Sequence, residues 1–81
     1  MNVQAIREAM QRQPFRPFSL RLADGRELHV PHPDFVAVSP RQVVVINPQN
    51  EALSILEPLL IVSVETRGDG QPTDGQQGAV G

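Results

Sequence analysis

His29, His32 and Asp34 are the only close grouping of residues in this chain whose types suit metal chemistry. Two imidazoles and a carboxylate match the ligand set of a zinc site that keeps a position open for water. Their local settings differ, however. His29 falls on the outward face of a candidate strand, where it can pair across to Ser19. His32 and Asp34 fall in the loop Pro31-His32-Pro33-Asp34, where Asp34 can close a turn through its own side chain. A small metal-dependent enzyme using His29, His32 and Asp34 is therefore an alternative reading, and no metal site or cofactor is expected. Other chemistry is weaker. The chain has no cysteine. Ser19, Ser39, Ser54 and Ser63 all lie on candidate strands, and none sits on an elbow turn. Asp24-Gly25 is a lone hairpin turn and not a phosphate-binding loop. Glu57 and Glu65 could serve as an acid/base pair but read as solvated surface carboxylates. No catalytic residue is assigned, and the expectation is a protein that is not an enzyme.

The charge pattern bears on partners. All seven basic residues are arginine, against nine acids, for a formal net charge of −2. Asp69 and Asp74 lie beyond residue 67, so the preceding residues carry equal numbers of each sign. A formally neutral domain has no general attraction for a phosphate backbone. The arginines at 16, 21, 26 and 41 also lack the exposed aromatic neighbours that stack on RNA bases. Nucleic acid is not the expected partner. The start of the chain mixes charges among its apolar residues, unlike a secretory leader. The apolar run Leu59–Val62 is far too short to span a bilayer. A cytoplasmic location and no membrane association are expected.

These residues must be positioned by a chain of 81 residues, enough for one domain. Val3, Ile6 and Met10 recur at helical spacing. With Asn2 as a cap and Pro14 as a stop, they predict a helix over residues 2–13. Pro14-Phe15-Arg16-Pro17-Phe18 follows as a stiff connector with two aromatic anchors. Phe18, Leu20 and Leu22 then alternate with polar residues, as do Leu28 and Val30. A three-residue loop, Ala23-Asp24-Gly25, pairs Leu22 with Arg26, Leu20 with Leu28 and Phe18 with Val30. It also sets Arg21 beside Glu27 and requires Gly25 to be left-handed. Further strands are expected over 35–39, 43–46, 52–56 and 61–65, separated by turn residues. Residues 68–81 are nearly free of apolar side chains and are expected to form a disordered tail after a domain over 1–67.

One feature does not fit a half-exposed antiparallel sheet. Val43, Val44, Val45 and Ile46 are apolar on both faces, and so are Leu59, Leu60, Ile61 and Val62. Such strands call for cover on both sides. The helix can supply part of it. The remainder points to a second copy of the chain or a small protein partner. These eight residues are the candidate interface.

Two resemblances accompany this reading. Leu20-Arg-Leu-Ala-Asp-Gly-Arg-Glu-Leu28 resembles the first hairpin of Sm-like small β-barrels. Ala52-Leu-Ser-Ile-Leu-Glu-Pro-Leu-Leu-Ile-Val-Ser-Val64 resembles their last two strands. That resemblance implies ring assembly and RNA binding, and keeps an Sm-like RNA-binding protein as an alternative. At the final turn, where the bacterial Sm-like RNA chaperone carries Tyr-Lys-His, this chain has Leu56-Glu57-Pro58. Pro14-Phe-Arg-Pro-Phe18, Ala23-Asp-Gly-Arg26 and Pro31-His-Pro-Asp-Phe35 resemble the landmarks of a group of short uncharacterised bacterial proteins, which implies no activity. The expected fold is mainly β with one N-terminal α-helix. It is a small Sm-like or SH3-like barrel or roll of five to six antiparallel strands. The expected role is a non-catalytic protein–protein interaction or self-assembly module.

Overall fold

A computed structural model describes residues 2–66. The boundary expected at residue 67 and the tail expected over 68–81 lie outside the described residues. Asn2 opens helix α1 (Val3–Gln11) by accepting the Gln4 N–H on its side-chain oxygen at 2.8 Å, which satisfies one of the orphan donors of the first turn. The helix ends two residues short of the expected 13, because Arg12 already takes an extended backbone. Ile6 is fully buried, with Val3, Ala9 and Met10 packed beside it.

Six antiparallel strands follow: β1 (Phe18–Leu22), β2 (Glu27–Val30), β3 (Val36–Val38), β4 (Val43–Ile46), β5 (Leu53–Leu56) and β6 (Ile61–Thr66). They form two three-stranded sheets, β2-β1-β6 and β3-β4-β5. This is the expected small, mainly β fold with one N-terminal helix, but the strand pairings do not run round into a closed barrel. The chain passes between the sheets twice. Each passage is a 3₁₀ turn that begins on proline, Pro33–Phe35 and Pro58–Leu60.

The β1–β2 register is the expected one: Phe18 faces Val30, Leu20 faces Leu28 and Arg21 faces Glu27. Leu22 N–H donates to the Arg26 carbonyl at 2.8 Å, and Gly25 N–H returns to the Leu22 carbonyl at 3.0 Å. Gly25 holds φ +92°, where an L-residue is disfavoured. The β4–β5 hairpin uses the same device with a different residue. Asn47 N–H donates to the Ala52 carbonyl and Glu51 N–H returns to the Asn47 carbonyl, with Glu51 at φ +62°.

The sheets enclose a core of Phe18, Leu20, Leu22, Val30, Val36, Val43, Val45, Leu56 and Ile61, closed by Ile6 from the helix. Phe15 anchors the connector edge-on against Phe18, with ring centroids 6.0 Å apart. Helix α1 packs chiefly against β3 and β6. In β6, Ile61 and Val64 both turn inward although two residues lie between them, a spacing that would put them on opposite faces of a regular strand. A register shift opposite Arg21 and Leu22 makes this possible. Val62 becomes the extra residue of a β-bulge and points outward.

Candidate interaction surface

The candidate ligands do not converge. His29 Nδ1 lies 3.3 Å from the Ser19 hydroxyl, the cross-strand pairing expected from the register. His32 and Asp34 are together: His32 Nδ1 accepts the Asp34 N–H at 3.1 Å and stands 3.5 Å from its carboxylate. His32 thereby caps the Pro33–Phe35 turn, and its ring lies against Phe15. Among the described residues, no group of three or more His, Cys, Asp or Glu side chains is placed to hold a metal ion. The remaining candidates are Glu57, which precedes the Pro58–Leu60 turn, and Glu65 on β6. Glu65 is engaged by Arg21, whose Nε and Nη2 donate to its two carboxylate oxygens at 2.9 and 3.3 Å. Arg21 also stands 3.8 Å from Glu27. The hydrogen bond to Glu65, its charge and then the Glu27 charge hold the guanidinium pKa above its ordinary value.

The outward faces of the two sheets differ sharply. Paired residues share a face and neighbours along a strand alternate. The outer face of β2-β1-β6 therefore carries His29, Ser19 and Glu65 in one row and Glu27, Arg21 and Ser63 in the next. Every one of these is polar. On β3-β4-β5 the outer rows are Ala37, Val44 and Ile55, then Ile46 and Leu53. None of these is polar. Leu53 and Ile55 are 62% and 64% exposed, while Val44 and Ile46 are half-buried.

The eight expected interface residues divide accordingly. Val43, Val45 and Ile61 belong to the core; they face inward and are not available to a partner. The double cover expected for Val43–Ile46 is not supplied by the helix, which packs chiefly on β3 and β6. Val44 and Ile46 thus remain on the open face. Leu59, Leu60 and Val62 are exposed, Leu59 at 83%. Leu59 protrudes from the Pro58–Leu60 turn and Val62 from the bulge. Leu53 and Ile55 were missed as surface residues. Their signal was parity: they alternate with Leu56, which faces the core.

A cleft of ≈ 280 Å³ opens between β2 and the β4–β5 hairpin, lined by Leu28, Val45 and Ser54 with Glu27, His29 and the 47–52 loop at its mouth. Its polar lining includes Ser54 and His29, and His29 is engaged by the Ser19 hydroxyl. No family model, no curated protein and no solved structure matches the chain.

Proposed function

We propose that this protein is a non-catalytic self-assembly module whose contact surface is the outer face of β3-β4-β5. The observation that carries this reading is the contrast between the two sheets. On one outer face the paired rows are all polar, with the bulged Val62 beside them, and the other, through Ala37, Val44, Ile46, Leu53 and Ile55, has no polar side chain. A contiguous exposed apolar patch on a small domain marks a contact surface. Covering one more Val, Leu or Ile side chain is worth about 1.5–3 kcal/mol. A second copy suits the patch because the face has no charge to repel its own image, and a two-fold axis sets like surfaces together.

Sedimentation velocity of the full chain tests the reading. The expected result is a mass that rises above the 8.9 kDa of one chain as protein concentration rises through the micromolar range. Association should persist at high salt, since apolar burial and not ion pairing drives it. A single-chain mass up to about 0.1 mM, an association weaker than about −5.5 kcal/mol, would overturn it.

A further inference from the structure

The self-association reading leaves open how two copies meet, and the four edge strands differ in a way that selects one of them. An edge strand presents unpaired N–H and C=O groups, and natural proteins guard such edges with charge, proline, bulges or cover. β2 carries Glu27 and His29 at the residues whose main chain points outward, and Pro31 follows it directly. β3 has only three residues, its Val36 N–H is taken by the Pro33 carbonyl, and helix α1 packs on it. β6 is bulged at Val62 and also packs against α1. β5, Leu53-Ser54-Ile55-Leu56, has no charged residue, no proline and no bulge.

The phase of the β4–β5 ladder fixes which main-chain groups β5 offers. Asn47 N–H bonds to the Ala52 carbonyl, and alternate residues of an antiparallel strand repeat that inward bonding. Ala52, Ser54 and Leu56 therefore face β4. The N–H and C=O groups of Leu53 and Ile55 point away from the sheet, and their side chains are the exposed ones on its outer face.

We infer that two copies of this chain join edge to edge through antiparallel pairing of β5 with β5, about a two-fold axis at Ser54. In this register Leu53 faces the partner's Ile55 and Ile55 faces the partner's Leu53. Both are narrow pairs, making about four main-chain hydrogen bonds. The exposed Leu53 and Ile55 of each copy then stand beside those of the other, apolar next to apolar across the strands, so the contact lies at the β5 margin of the apolar face and Val44 and Ile46 stay outside it. Ser54 meets the partner's Ser54 as a wide pair on the opposite face, with Cα atoms about 4.5 Å apart. The result is a continuous sheet, β3-β4-β5-β5-β4-β3, in which the unguarded edge no longer exists. This inference rests on the self-association reading but is more specific than it.

Two variants of the full chain test it, each compared with the parent by sedimentation. Ile55→Pro removes an N–H that makes no bond inside the subunit, so an edge strand tolerates it. It should abolish the dimer at concentrations where the parent is associated, with an unchanged circular dichroism spectrum. Ser54→Cys introduces the chain's sole thiol. At about 4.5 Å between Cα atoms the two cysteines are within disulfide reach, so air oxidation should convert most of the protein to a covalent dimer on a non-reducing gel. If Ile55→Pro does not fold, the cross-link alone decides. A parent that associates while S54C stays uncross-linked and I55P still dimerises overturns β5 pairing but leaves self-association standing. A monomeric parent overturns both.

Discussion

Glu51 and Gly25 occupy matching places in two hairpins, each donating its N–H back to the residue whose own N–H closes the hairpin, Asn47 and Leu22. Only one of them is glycine. Glu51 sits at φ +62°, where a side chain costs about 1 kcal/mol. Glu51→Gly should therefore raise stability by about 0.5–1 kcal/mol in a denaturant titration. Gly25→Ala should lower it by about 1 kcal/mol on backbone grounds alone, since a Cβ there meets no atom within 4 Å. Asp24 in the first hairpin accepts the Arg26 main-chain N–H at 3.0 Å and its Nε at 2.8 Å. The main-chain bond, then the side-chain bond and charge of Arg26, hold the Asp24 carboxyl below its ordinary pKa. A depressed folded-state pKa adds stability above the unfolded value, near 3.9, and loses it as pH falls through the folded value. The advantage of the parent over Asp24→Asn in chemical denaturation should be present at pH 6 and fade below about pH 4. Gly25 was legible from the Asp-Gly turn and the strand alternation around it. Glu51 was not, because an acidic residue in the left-handed region leaves no compositional mark. The Arg21–Glu65 pair was equally hidden, since its partners lie 44 residues apart.

Elements were read with uneven success, and the reason is whether the signal is local. The β1–β2 register followed from alternation, because a slip of one residue would have turned Phe18, Leu20 and Val30 to solvent. The bulge in β6 follows instead from the need to bury both Ile61 and Val64 against β1, a tertiary demand. For that reason Leu59–Val62 read as uniformly apolar, and only Ile61 proved to be core. The 3₁₀ turns were visible as proline-bounded breaks but not as helical turns. Helix α1 depends on its docking, since nine residues are too few to be helical alone in water. Ile6, fully buried, is its anchor. Ile6→Ala should cost about 2–5 kcal/mol, a large share of the total for a domain of this size. Urea titration followed by circular dichroism reads this directly, with a lower midpoint and no change of slope if the helix stays docked.

At the scale of the molecule, charge and oiliness are segregated onto opposite sheets. Only the excess of apolar residues was apparent in the sequence; which of them reach the surface depends on how strands are shared between sheets. The assembly reading rests on that segregation, and the β5 pairing on the unguarded edge at its margin. The two proline-led passages have a separate consequence for how the chain organises itself in time. β3, β4 and β5 are consecutive and joined by short loops, so that meander can form from near neighbours alone. The other sheet needs β6 to return across the whole meander to reach β1. The entropy of ring closure therefore falls mainly on one late event. Docking of β6 onto β1 is then the step expected to limit how fast the chain folds.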